Sequence, residues 1–162
     1  KNSEKIRNLL LNKKSSFNKN TDLLLYSAAR SENISFLKKN YKKKIIIIDR
    51  FIDSTIAYQH YGFGVNYSLI KKINNHILDG FKVDYTFLNI VNKDNMIKRL
   101  KKRKTLNRYD KFKSKFYEKV QKGFLNIAKK NNKKYLIIDS NLEIKKNKID
   151  ILKKVDELLK WI

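Results

Sequence analysis

Cysteine is absent, so neither a disulfide nor thiolate chemistry is open to this chain, and a reducing compartment fits. Proline is absent too, and the first residue is Lys1 and not Met, which leads us to expect that the sequence begins inside a longer polypeptide. Glycine occurs only at positions 62, 64, 80 and 123, and no GxxxxGKS/T is present. Nothing in the sequence can therefore wrap backbone amides around the β- and γ-phosphates of a nucleotide. No apolar run approaches the ~20 residues that cross a bilayer, and no signal-peptide pattern is present. We expect a cytoplasmic protein with no membrane partner.

Acid is scarce as well: 15 Asp and Glu face 39 Lys and Arg, a formal charge of +24. Such an excess suits a polyanionic partner and speeds encounter with phosphates. The excess is mostly lysine amid abundant Asn and Ile, however, the mixture that AT-rich codons produce. Its runs, Lys38-Lys39, Lys42 to Lys44, Lys129-Lys130 and Lys145-Lys146, are scattered, whereas a nucleic-acid footprint is clustered. Nucleic acid is not expected as a partner.

What is present is enough for one domain with a core, residues 1–162, because 41% of the 162 residues are apolar. Helical spacing runs over Lys5 to Leu11 and Thr21 to Lys39, with Thr21 as N-cap of the second. The four isoleucines Ile45 to Ile48 are too short and too β-branched for a helix and read as a strand buried on both faces. Helices are expected from about Asp53 and over Tyr67 to Leu78, then a strand over Tyr85 to Val91. A helix from Asn92 or Asp94 to Lys102 follows, then a polar break at Lys104 to Asn107. A long helix from Tyr109 to Lys130, a third strand at Tyr135 to Ile138 and a closing helix from Lys148 to Trp161 complete the chain. Strands alternating with crossovers of a dozen residues or more predict an α/β fold, a parallel sheet covered by helices on both faces.

In such a sheet ligands bind at the carboxyl ends of the strands. Asp49 and Arg50 follow the isoleucine run, and Asp139-Ser140-Asn141 follow the third strand. An arginine at that rim can fork onto two phosphate oxygens, and a carboxylate beside it can hold Mg²⁺ through water. Tyr26 and Arg30, four apart, share a helix face. An anionic ligand with a ring suits both blocks. His60 and His76 are isolated, without the ligand count a zinc site needs.

The segments Ile6-Arg7-Asn8-Leu9-Leu10-Leu11, Leu23 to Arg30, Asp49 to Gly62 and Asn107-Arg108-Tyr109-Asp110 resemble, in order and spacing, the bacterial thymidylate kinases. The resemblance implies a P-loop nucleoside monophosphate kinase-like fold, transfer of the ATP γ-phosphoryl group to dTMP to give dTDP, Mg²⁺ as cofactor and a homodimer. In that family Tyr26 would stack on thymine and Arg30 would donate to its O4. Arg50 would grip the dTMP phosphate, and Asp49 would orient a Mg²⁺-bound water. Thr55 and Gln59 would bond the base edge, and Tyr58 would pack against the 2′ carbon. A mobile lid at about residues 103–110 would bring Arg108 to the transferring phosphoryl group, with Arg99 and Arg103 sharing the task. The family commonly has an acid where this chain has Asn107. Its N-terminal strands, including the one with the phosphate loop, are expected to be missing from these residues, so they alone should be inactive or nearly so. Two alternatives are another deoxynucleotide kinase and a basic nucleic-acid-binding or regulatory protein.

Overall fold

The computed structural model describes residues 1–40 and 44–160, so Lys42, Lys43 and Trp161 lie outside the described residues. The chain falls into two compact units, one of Lys1–Val83 with Lys104–Ile127, the other of Asp84–Arg103 with Ala128–Ile162. No described helix is long and apolar enough to cross a membrane.

In the first unit, helix α1 spans Asn2–Leu11 and α2 spans Lys19–Asn40. The cap of α2 is Asn18, whose Oδ1 accepts from the backbone N–H groups of Asn20 and Thr21 at 2.9 and 3.0 Å. Thr21 is therefore an N-terminal helical residue and not the cap, because Asn18 already satisfies the orphan donors of the first turn. Leu23, Ser27, Ile34 and Leu37 recur at helical spacing and form the buried face of α2. Leu23 packs with Val65 and Ile70, and Ile34 and Leu37 pack with Leu78. Helix α3, Ile52–Thr55, runs straight into a π-helical stretch, Ile56–Gly62. Helix α4 covers Tyr67–Leu78, as its spacing predicts. Asn66 caps it by accepting from the Leu69 N–H at 3.1 Å, and the left-handed residues Asp79 and Gly80 stop it.

The isoleucine run does not form the expected strand. Ile46 alone turns inward, onto the cluster of Ile34, Leu37 and Leu78, while Ile45 is exposed and Ile47 is 94% exposed. A strand exists only where a neighbour takes its backbone hydrogen bonds, and the described ladder pairs two other segments.

Those segments form the second unit: β1, Thr86–Ile90, parallel to β2, Tyr135–Asp139, in register from Thr86↔Tyr135 to Ile90↔Asp139. The fold is thus helix-rich α/β with a small parallel sheet. The expected cover on both faces is not found among the described residues, for Leu88 and Ile138 are buried while Ile137 is 47% exposed. Helix α5, Lys93–Lys101, is capped by Asn92, whose side chain accepts from the Asn95 N–H at 2.9 Å. The helix expected from Tyr109 starts later. A 3₁₀ turn, Tyr109–Lys111, comes first, Phe112 is extended, and α6 spans Ser114–Lys130. Asn107 causes the delay, since its Oδ1 accepts from the N–H groups of Tyr109 and Asp110 and tightens the turn. Helix α7, Ile144–Leu159, begins four residues before the expected Lys148, where the Asn147 N–H already bonds the Glu143 carbonyl.

Candidate functional site

Arg30, on α2, is drawn into the first unit. Its Nη2 donates to the Thr55 hydroxyl at 2.6 Å and to the Phe51 carbonyl at 3.3 Å, and Nη1 donates to Asn74 Oδ1 at 3.1 Å. The guanidinium also lies 5.6 Å from the centre of the Phe51 ring. Burial pulls its pKa down to about 10 against the opposing charge of Asp53, so it stays a cation at neutral pH. Three of five donors are engaged, which fixes the plane of the group and leaves donors for a ligand oxygen. Thr55 accepts from Arg30 and so retains its own O–H.

Tyr58 and Gln59 stand on the π-helical stretch, where the Phe63 N–H reaches back five residues to the Tyr58 carbonyl at 3.0 Å. Such wide turns recur at functional sites because they redirect side chains that a regular helix would space evenly. Two glycines bring α6 against this stretch. A Cβ on Gly62 would lie 2.7 Å from the Phe116 ring, and one on Gly123 would lie 2.6 Å from that of Tyr61. Gln59 is 1% exposed and its Nε2 has no partner. A buried amide donor without an acceptor costs about 1–3 kcal/mol, which suits a position that waits for a ligand acceptor. His60, by contrast, is occupied, its Nδ1 donating to the Val65 carbonyl at 2.9 Å.

Arg50 occupies a left-handed backbone conformation, φ 62°, which non-glycine residues rarely adopt. Its exposed guanidinium lies 5.5 Å from the Tyr58 ring centre, and its Nη1 is 3.5 Å from the Tyr58 hydroxyl. Asp49 is exposed beside it. Among the described residues no three His, Asp or Glu side chains converge on a metal position. An exposed carboxylate such as Asp49 can contribute to a Mg²⁺ site, since that ion keeps several waters and takes one or two carboxylates together with phosphate oxygens.

Arg108 is 8% exposed and does not swing free in this conformation. Its Nη2 donates to Asp22 Oδ1 at 2.5 Å and to the Tyr109 hydroxyl at 3.2 Å, and its guanidinium lies 5.5 and 5.0 Å from the Phe17 and Tyr109 ring centres. In this conformation Arg108 is paired, and leaving the pair would strand the Asp22 carboxylate in the interior. Burial works against the charged guanidinium, yet the Asp22 hydrogen bond and the neighbouring Tyr109 hold its pKa above the ordinary value. Its Nε–H is buried without a partner.

Tyr26, Arg30, Arg50, Thr55, Tyr58, Gln59 and Arg108 therefore belong to one unit. Tyr26 and Tyr58 are each linked to Arg108 through Tyr109, with ring centres 6.1 and 5.7 Å from that of Tyr109. Arg99 and Arg103 belong to the other unit and are exposed. There Arg99 Nη2 donates to the Ser140 carbonyl at 2.5 Å. The Asp139–Asn141 rim is a self-bonded turn, with Asn141 donating to Asp139 Oδ1 from both its backbone and its side chain.

Three residues escape the sequence reading: Asp22, Asn74 and Tyr109 as a ring neighbour. Asn74 was detectable as a polar residue on the apolar face of α4 defined by Ile70, Ile73 and Ile77. Asp22 looks like an ordinary acid in the first turn of a helix, and only its place four residues before Tyr26 hinted at more.

A thymidylate kinase family model matches residues 1–151. A thymidylate kinase of Trichodesmium erythraeum is 40% identical over 124 residues, 75% of this chain and 55% of that protein. One from a Sulfurihydrogenibium species is 36% identical over 144 residues, 87% of this chain and 70% of its own length. The crystal structure of thymidylate kinase from Ehrlichia chaffeensis is similar with a TM-score of 0.72 at 34% identity, covering 94% of this chain and 74% of that one. The chain thus spans between about half and three quarters of the proteins it resembles.

Proposed function

The chain belongs to the thymidylate kinase family, and from that membership we propose that the protein transfers the ATP γ-phosphoryl group to dTMP, forming dTDP. The observation that carries the reading is the fixed Arg30, held by Asn74, Thr55 and the Phe51 carbonyl with donors to spare. A guanidinium so placed suits the O4 acceptor of thymine and rejects cytosine, whose amino group would set donor against donor. Tyr26 stacks on the base in this reading, and Thr55 O–H and Gln59 Nε2 bond its edge. Tyr58 walls off the 2′ carbon, and the exposed Arg50 takes the acceptor phosphate.

Arg108 acts from its buried position. It keeps Nη2 on Asp22 and offers Nε and Nη1 to phosphoryl oxygens, a pre-organised donor in place of a swinging finger. Arg99 and Arg103 are the exposed lid arginines that would add charge. Asp49 is the residue that would hold Mg²⁺ through water, and the ion would supply neutralising charge on the phosphates. These residues contain no glycine-rich phosphate loop, so the cradle for the ATP phosphates is not supplied by them. We take the protein to be a cytoplasmic homodimer, for which sedimentation equilibrium is the check on assembly. The family does not favour the nucleic-acid-binding alternative.

Titration calorimetry with dTMP, dUMP and dCMP tests the reading. Binding of dTMP at least tenfold tighter than dCMP is expected. Undetectable dTMP binding overturns it, and preference for dCMP would move the protein to another deoxynucleotide kinase specificity.

A further inference from the structure

Tyr109 is the shared neighbour of the two rings assigned to the acceptor nucleoside. Its ring centre lies 6.1 Å from that of Tyr26 and 5.7 Å from that of Tyr58, with Phe63 and Phe112 at 6.3 and 5.5 Å on other sides. A ring so surrounded sets the gap between its neighbours, and it can do so only if it is itself held. Hydrogen bonds hold it. Its hydroxyl donates to Asp22 Oδ2 at 3.2 Å and accepts from Arg108 Nη2 at 3.2 Å, and its carbonyl accepts from the Tyr117 hydroxyl at 2.5 Å.

Asp22 is the root of this arrangement. It is 2% exposed, and its two oxygens have two tasks, Oδ1 on Arg108 and Oδ2 on Tyr109. It lies four residues before Tyr26 on α2, so one rigid helix carries both the anchor of Tyr109 and the ring that Tyr109 packs against. Tyr58 comes from a different element, the π-helical stretch, and meets that helix face through Tyr109. We propose that Asp22 is a positioning residue which, by seating Tyr109 with Arg108, sets the separation of Tyr26 and Tyr58 and thereby the grip on the acceptor and its selection for a 2′-deoxy sugar. This inference rests on the acceptor reading above.

Asparagine in place of Asp22 puts an NH2 donor where one of the two carboxylate oxygens stands, so it cannot accept from Arg108 and Tyr109 at both positions. Burial also pushes the hydroxyls of Tyr26 and Tyr109 upward in pKa, so both remain protonated donors at neutral pH. Tyr109→Phe is the milder variant, since it removes one hydroxyl and leaves the Asp22–Arg108 ion pair in place.

The test measures, by calorimetry on the wild-type protein, Asp22→Asn, Asp22→Glu and Tyr109→Phe, the affinities for dTMP and for its ribonucleotide counterpart, ribothymidine monophosphate. Asp22→Asn and Tyr109→Phe should each weaken dTMP about tenfold and narrow the deoxy-to-ribo ratio, because a loosened Tyr58 admits the extra hydroxyl. Asp22→Glu, which retains two acceptor oxygens, should restore part of the ratio. If Asp22→Asn does not fold, Tyr109→Phe decides alone. Unchanged dTMP affinity, or an equal loss for both nucleotides with the ratio preserved, overturns the positioning role while leaving the acceptor reading intact. Failure of the wild type to bind dTMP overturns both.

Discussion

Arg108 in the first unit and Arg99 in the second each donate an Nη2 hydrogen at 2.5 Å, one to the Asp22 carboxylate and the other to the Ser140 carbonyl. The short distance is the same and the surroundings differ. Arg108 is buried among Asp22, Tyr109 and Phe17, whereas Arg99 is exposed on a helix that also carries Lys98 and Lys101. Bond length does not rank the two. What ranks them is the cost of stranding the partner, which is large for a carboxylate out of reach of water and small for a carbonyl that water can reach. The first unit thus fixes Arg30 and Arg108 in its interior, whereas Arg99 and Arg103 of the second stay at the surface.

The largest effect is therefore expected at Arg108. Arg108→Ala leaves the Asp22 carboxylate unpaired in the interior and should destabilise the protein by about 3–5 kcal/mol, read from urea denaturation. A cost no larger than that of Arg99→Ala would remove the contrast between the units. Arg50 comes next, and its effect falls on binding. As an exposed residue it contributes little packing, but a charge-assisted fork on the acceptor phosphate is worth roughly 2–5 kcal/mol, so Arg50→Ala should weaken dTMP by at least thirtyfold. Arg50→Gly should lose the same affinity and gain stability by about 1 kcal/mol, since φ 62° strains any residue with a Cβ. Equal stability of Arg50→Gly and the wild type would argue that the loop does not hold Arg50 in a strained state.

Much of the fold could be read from the chain, and the part that could not has physical reasons. Helix α4 and both strands of the sheet follow from periodicity and β-branching, signals that depend on nearby residues alone. Ile45 to Ile48 carries the same local signal and makes no ladder, because pairing depends on a neighbour that local sequence does not specify. Among the candidate residues, Tyr26, Arg30, Thr55, Tyr58 and Gln59 were recognisable from two short blocks. The acid that holds Arg108 was not, for it lies 86 residues away in sequence. The π-helical stretch has no composition cue either. Gly62 and Gly123 only let it lie close against α6.

Gly123→Ala gives a moderate effect with opposed contributions. Alanine in a helix interior is favoured over glycine by about 0.8–1 kcal/mol. The added methyl would sit 2.6 Å from Tyr61 Cδ2 and 2.9 Å from its Cβ, too close to be relieved by a flexible side-chain end, and overpacking costs about 1–3 kcal/mol. Net destabilisation of about 1 kcal/mol is expected in urea denaturation. A stabilised Gly123→Ala would mean that α6 and the π-helical stretch separate at little cost, and the first unit would be less tightly fixed than its arginines imply.

The smallest effect is expected at Arg99, and it tests the other half of the comparison. Arg99→Ala removes one donor from the Ser140 carbonyl, but that oxygen is at the surface and water replaces the bond. Arg99 also lies in the last turn of α5, where positive charge is favoured by the helix dipole, yet Lys98 and Lys101 in the same turn supply that charge without it. Alanine is moreover at least as good a helix former as arginine. The three contributions nearly cancel, so the change in unfolding free energy should stay within about 0.5 kcal/mol, the range of ordinary surface substitutions. A loss above about 1.5 kcal/mol would show that the Ser140 turn depends on this one guanidinium, and the second unit would then fix its arginine as firmly as the first.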